Sequence, residues 1–235
     1  MEIKEAIILA GGLGTRLQSV LPDLPKCMAP VNGRPFLSYI IDYYRQQGIE
    51  KFIFSLGYKH EVISAWIKEN YPSLPAEYVI ENEPLGTGGA IQLAIGKTKV
   101  KDVLILNGDT LFKVNLETLA AFHKRSGSAC TLSLKPMKDF ERYGVVETEE
   151  DAHIKSFKEK KHYQQGLING GVYILNTGRF RQQKRPEKFS FEKDYLEVFF
   201  SAMPMYGCVQ EGYFIDIGVP EDLEKAQGEL EITNL

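Results

Sequence analysis

Ala6-Ile7-Ile8-Leu9-Ala10-Gly11-Gly12-Leu13-Gly14-Thr15-Arg16-Leu17, followed at a distance by Pro25-Lys26, decides how this chain reads. A short apolar strand runs into a glycine-rich turn that ends in an arginine, and a lysine stands ten residues further on. Glycine lets the backbone approach a ligand closely and reach positive φ at little cost. Successive N–H groups in such a turn form a concavity suited to phosphate oxygens. Arg16 adds a fork of donors and Lys26 a point charge. Together they describe a triphosphate site at the carboxyl end of a strand, where open α/β sheets bind ligands. The blander reading is a tight turn with a salt-bridged arginine. Two other glycine-loop readings fail. A Walker A loop needs a lysine directly after its last glycine. A dinucleotide fingerprint needs a glycine where Leu17 stands.

Working outward, 235 residues suit one large domain. A hydrophobic fraction of 43% and a charged fraction of 25% are those of an ordinary globular protein. The formal charge of −3 argues against nucleic acid as a partner. Cys27, Cys130 and Cys208 are scattered, with no Cys-x-x-Cys spacing, and read as free thiols in a reducing compartment. No apolar run approaches membrane-spanning length, so no membrane partner is expected. The start, Met1-Glu2-Ile3-Lys4-Glu5, is mixed and acidic, unlike a signal peptide. A cytoplasmic location is expected.

Strand-like runs alternate with helical patterns through residue 128, which indicates βαβ units and a largely parallel sheet. Strands are expected at Ala6–Ala10, Lys51–Leu56, Ala76–Ile80 and Asp102–Leu106. Helices are expected at Pro35–Gln47, Glu61–Tyr71 and Gly88–Ile95, and from an Asn115 cap to about Lys124. Beyond residue 128, Ala129–Leu134, Gly144–Glu147, His153–Phe157 and Leu167–Leu175 read as strands. Ser190 can cap a helix through Phe200, and Pro220-Glu221-Asp222 suits a first helical turn. The basic run Arg179–Lys188 reads as surface, and the four histidines as structural or exposed.

Several groups bear on chemistry. Asp109 ends an apolar strand in Leu106-Asn107-Gly108-Asp109, a placement that suits Mg²⁺ or a turn cap. Asp216 lies between Ile215 and Ile217, and its burial would be costly without a metal, an arginine or backbone donors. Glu81-Asn82-Glu83-Pro84-Leu85-Gly86-Thr87-Gly88-Gly89 is a second glycine-rich turn against which a flat base could slide. A carboxylate from Glu81 or Glu83 would accept from the N–H edge of guanine; both could equally be solvated loop acids. Glu159 and Asn169 could hold sugar hydroxyls and Lys160 a sugar phosphate, although a run such as Lys158–His162 also suits a solvated face.

In order along nearly the whole chain, these motifs resemble the sugar-phosphate nucleotidyltransferase family. The matching stretches are Leu9–Leu17 with Pro25-Lys26, Leu85–Gly89, Asn107–Asp109, Tyr143-Gly144, Glu159-Lys160, Asn169–Gly171 and Phe214–Gly218. The resemblance implies a Rossmann-like three-layer α/β fold with a mixed, mostly parallel central sheet. It implies a single domain over 1–235, with a nucleotide half to about 128 and a sugar-phosphate half from about 129. It places Leu9, Ala10, Gly11, Gly12, Gly14 and Thr15 at the nucleotide, with Arg16 and Lys26 on its phosphates. Glu81, Glu83, Gly86, Thr87 and Gly88 would complete that site. Tyr143, Gly144, Glu159, Lys160, Asn169 and Gly170 would hold the sugar phosphate, and Asp109 and Asp216 the Mg²⁺ cofactor. Arg16, Lys26 and Asp109 would carry the catalysis.

Met28-Ala29-Pro30, Glu83–Ile91, Gln165–Gly171, Lys188–Glu192 and Phe214–Asp222 are most similar to family members that use GTP and D-glycero-α-D-manno-heptose 1-phosphate. The implied reaction transfers GMP and releases pyrophosphate. Mannose 1-phosphate, or a uridylyl or thymidylyl donor, stays open as an alternative, and so does a non-catalytic nucleotide-sugar sensor. Cys27 and Lys161 depart from prolines common in the family, which bears on loop geometry alone.

Overall fold

The computed structural model describes residues 2–12, 14, 17 and 21–230. These build a seven-stranded sheet from β1 (Glu5–Ala10), β2 (Lys51–Leu56), β3 (Ala76–Ile80), β4 (Asp102–Asn107), β5 (Cys130–Phe140), β6 (Tyr163–Asn176) and β7 (Met205–Val209). Their order across the sheet is β7-β5-β6-β4-β1-β2-β3. Only β6 runs against the rest, pairing antiparallel with both β4 and β5. The sheet is therefore mixed and mostly parallel, as expected. Parallel neighbours need long crossovers. The crossovers from β1 to β2 and from β2 to β3 contain α1 (Phe36–Gln46) and α2 (His60–Asn70), and the return from β3 to β4 contains α3 (Gly86–Ile95).

The pleat sorts side chains to two faces. Ile8, Phe52, Phe54, Leu104 and Leu106 pack beneath α1, α2 and α4 (Leu116–Ser126). Ile7, Ile53, Val103 and Ile105 pack on the other face with Ile91 and Ile95 of α3, Phe180 of α5 (Thr177–Gln182), Phe191 and Tyr195. Each fully buried large apolar side chain contributes about 1.5–3 kcal/mol, and two such faces make the three layers. Phe36, Leu37, Ile40, Ile41 and Tyr44 form the buried stripe that the α1 sequence predicts. Asn115 caps α4 by accepting from the Thr118 N–H, and Ser190 accepts from the Lys193 N–H ahead of a π-helical turn, Phe191–Leu196. Pro220 opens α6 (Pro220–Glu229).

Three features differ from expectation. β5 and β6 extend each other to Phe140 and Tyr163, because pairing across the hairpin carries polar residues that lack a strand pattern of their own. β7 was not expected; its short run gains strand geometry from parallel pairing with β5. The run Arg179–Lys188 is not simply a basic surface. Arg181 donates to the Ile95 and Thr98 carbonyls, and the Arg185 guanidinium lies 3.6 Å from the Phe180 ring centroid. Arginine stems and faces pack on apolar groups, which a charge count does not register. His123 is structural: Nδ1 lies 2.8 Å from Thr131 Oγ1 and Nε2 3.3 Å from Asp102 Oδ1. Cys27, Cys130 and Cys208 are free and buried. Among the described residues no helix is long and apolar enough to cross a membrane.

Candidate active site

The carboxyl ends of β1, β3 and β4 open onto a cavity of about 470 Å³. Leu9, Ala10, Gly11, Gly12, Gly14, Lys26, Glu81, Gly86, Thr87 and Asp109 line it. Gly11 permits a close approach: a Cβ there would stand 2.5 Å from Glu81 Oε1 and 3.3 Å from the Gly57 nitrogen. Glu81 is held in place by the Leu85 N–H at 3.1 Å and the Ser55 hydroxyl at 3.3 Å. Burial raises its carboxyl above the ordinary range against the pull of these two bonds. A carboxylate fixed at a cavity wall is a ready acceptor for a ligand N–H pair.

Not every sequence-predicted nucleotide residue faces this space. Glu83 is exposed and lies off the cavity wall. Gly88 is buried, with its N–H given to the Phe189 carbonyl at 3.0 Å. The Phe189 ring occupies the flank where a base was expected to slide. Thr15 and Arg16 lie outside the described residues.

Asp109 and Asp216 converge on Lys26. Its ammonium forms an ion pair with Asp109 and stands 3.7 Å from Asp216 Oδ1. This meeting depends on a two-stranded pair, Thr110–Phe112 with Phe214–Asp216, that sets Asp216 opposite Thr110. The Ile217 N–H adds a bond to the Asp109 carbonyl at 3.0 Å. Gly218 leaves room for the cluster: a Cβ there would lie 2.9 Å from Asp216 Oδ1 and 3.2 Å from Lys26 Nζ. Burial and the Asp109 charge raise the Asp216 carboxyl, and Lys26 opposes them. Asp216 Oδ1 is buried without a hydrogen-bond partner. Two carboxylates with an orphaned oxygen are a donor set that fits a hard divalent cation. Among the described residues no three metal-ligating side chains converge. Phosphate oxygens and water would supply the remaining ligands.

On the other side of this cluster lies a second cavity of about 510 Å³. Tyr143, Gly144, Glu159, Lys160, Asn169 and Gly170 all line it, together with Thr110 and Asp216. Asn169 is oriented by bonds to the Tyr173 hydroxyl at 2.8 Å and the Gly171 N–H at 3.1 Å. Burial, then Asp216, push the Tyr143 hydroxyl above its usual range. Asn107 lines both cavities and so marks where they join.

Sequence reasoning did not assign site positions to Asn107, Thr110 and Glu192. Asn107 and Thr110 flank the Gly108-Asp109 motif, a signal that was present. Glu192 follows a capping serine and carries no local signature of ligand binding.

The chain is similar to known proteins over nearly its whole length. Residues 5–232 match the family model described as Nucleotidyl transferase. The chain is 52% identical over 227 residues to D-glycero-alpha-D-manno-heptose 1-phosphate guanylyltransferase of Aneurinibacillus thermoaerophilus, covering 97% of this chain and 98% of that one. It is 46% identical to the enzyme of the same name from Campylobacter jejuni, covering 93% and 96%. The crystal structure of HddC from Yersinia pseudotuberculosis complexed with GMP-PN superposes with a TM-score of 0.87 at 38% identity, covering 97% of this chain and 100% of that chain.

Proposed function

The chain belongs to the nucleotidyl transferase family, and from that premise we propose that it transfers GMP from GTP to D-glycero-α-D-manno-heptose 1-phosphate, releasing pyrophosphate. The observation that carries the reading is the junction of two cavities at Asn107 beside Lys26, Asp109 and Asp216. One cavity suits a nucleotide and the other a phosphorylated sugar. The reaction joins the two where the cavities meet. The half of the chain to about residue 128 then serves the donor and the remainder mainly the acceptor, within one domain. The two heptose 1-phosphate guanylyltransferases support the choice of substrates, since similarity to them extends over nearly the full length of each chain.

An oxygen of the sugar 1-phosphate attacks the α-phosphorus of GTP in line, and the bond to pyrophosphate breaks. A phosphate monoester has a second pKa of about 6, so the nucleophile is already anionic and needs no general base. The protein has to position two repelling anions and stabilise the developing charge. Lys26 serves both phosphates at the junction, and Arg16 serves the leaving pyrophosphate. Glu81 accepts from the guanine N–H edge. Glu159 and Asn169 hold sugar hydroxyls, while Lys160 holds the acceptor phosphate. Asp109 and Asp216 would hold Mg²⁺, which when bound neutralises phosphate charge and orients its oxygens. Buried free thiols support a cytoplasmic setting.

The test is pyrophosphate release with GTP, UTP, CTP, ATP and dTTP against heptose, mannose and glucose 1-phosphates, with Mg²⁺ and then with EDTA. Turnover confined to GTP with the heptose phosphate, abolished by EDTA, is the expected result. Turnover with another pair replaces the substrates. No release from any pair, with nucleotide still bound, favours a sensor of nucleotide-sugars.

A further inference from the structure

The walls of the two cavities are tied together by a clasp that does not involve Lys26. Thr87, on the nucleotide side, donates its hydroxyl to Glu192 Oε2 at 2.7 Å, and Glu192 lines the acceptor cavity. The Phe191 N–H donates to the same Thr87 hydroxyl at 2.8 Å. Ser190 Oγ adds a second donor to Glu192 Oε2 at 3.1 Å. Backbone bonds fasten the segment further, from Phe189 N–H to the Leu85 carbonyl and from Gly88 N–H to the Phe189 carbonyl, both 3.0 Å. Both protein donors fall on one oxygen of Glu192. Its other oxygen, Oε1, takes no protein donor among the described residues. A carboxylate fixed through one oxygen and open at the other presents acceptor lone pairs in a set direction. Hydroxyl donors are what a polyol offers to such a group.

Resting on the reaction assigned above, we propose that Glu192 is a specificity-determining residue that accepts hydrogen bonds from hydroxyls of the acceptor sugar through Oε1. Thr87 is its positioning residue. The segment Phe189–Glu192 thus makes the acceptor wall depend on the loop that forms the nucleotide wall. Thr87 therefore affects the acceptor from the opposite cavity.

Steady-state pyrophosphate release by the full-length protein tests this, with each substrate varied in turn. Glu192→Ala is expected to raise the acceptor KM about 10- to 100-fold, the loss of a charge-assisted contact, and to leave the KM for GTP within about twofold. Glu192→Gln, which keeps the shape and an oxygen for Thr87, recovers part of that loss. Thr87→Val raises the acceptor KM and Thr87→Ser does not. The double variant Glu192→Ala with Thr87→Val adds little to Glu192→Ala alone, because the two act through one contact. An acceptor KM within twofold of wild type in Glu192→Ala overturns the proposal, as does an equal rise in both KM values, which marks a structural role. Wild-type protein that turns over no pair overturns the underlying reaction instead.

Discussion

Gly88→Ala tests the clasp through its tightest packing. A Cβ at position 88 would lie 2.7 Å from Cζ of Phe189 and nearer still to two other ring carbons, where ordinary contact begins at 3.4 Å. The nearest ring carbon must retreat by more than about 1 Å to restore contact distance. Phe189 is 3% exposed, within the core formed by Ile91, Phe180 and Phe191. Its backbone is bonded on both sides to the Leu85–Gly88 turn, so ring and segment have to move together. Overpacking costs about 1–3 kcal/mol, and this geometry belongs at the upper end. Alanine regains about 1 kcal/mol of helix propensity over glycine. The net loss is about 2 kcal/mol, equivalent to a fall in Tm of roughly 4–8 °C for a chain of this size. Gly228→Ala in α6 is the control, since among the described residues nothing outside its own helix backbone and chain neighbours lies within 4 Å of its added Cβ. It is expected to raise Tm by roughly 2–4 °C. Thermal melts by circular dichroism, with acceptor KM measured in parallel, give the readout. Gly88→Ala protein that melts at or above the wild-type temperature with an unchanged acceptor KM refutes the argument.

Other outcomes are expected at the site and in the core. Arg16→Ala, Lys26→Ala and Asp109→Ala should each cut kcat about 100-fold or more while the circular dichroism spectrum stays native; near wild-type turnover in one of them removes that residue from its role. Glu81→Gln should raise the GTP KM about tenfold and narrow the preference for GTP over ATP, with little change in acceptor KM; an unaltered nucleotide preference assigns base recognition elsewhere. In the core, burial alone would raise the Asp102 carboxyl, but hydrogen bonds from His123 and Asn176 outweigh it and hold the group below its usual range. Ionised Asp102 therefore stabilises the fold above about pH 4, and that contribution fades as pH falls through the lowered native value. Asp102→Asn should lower Tm at pH 7 and flatten its decline below about pH 4. A decline as steep as wild type would show that other groups control acid unfolding.

Much of the architecture was legible because it rests on local interactions. The strand into Gly11 and Gly12, the buried stripe of α1, the Asn115 cap and the Pro220 helix start depend on periodicity and turn chemistry within a few residues. The residue types expected at the second cavity were legible as well, and Tyr143, Glu159, Lys160 and Asn169 line it together.

The chain alone determined the strands and helices that carry strong periodicity or caps, and that a phosphate-suited turn ends β1. Tertiary structure decided which distant groups meet. Asp216 reaches Asp109 only because Phe214–Asp216 pairs with Thr110–Phe112, strands too short to announce themselves. Gly88 turns from the nucleotide cavity because Phe189 fills the space beside it. Glu192 comes to Thr87 by a fold-back that no local pattern encodes. Local propensity is set by a residue and its near neighbours, whereas strand pairing and burial draw their free energy from partners that only the folded chain supplies.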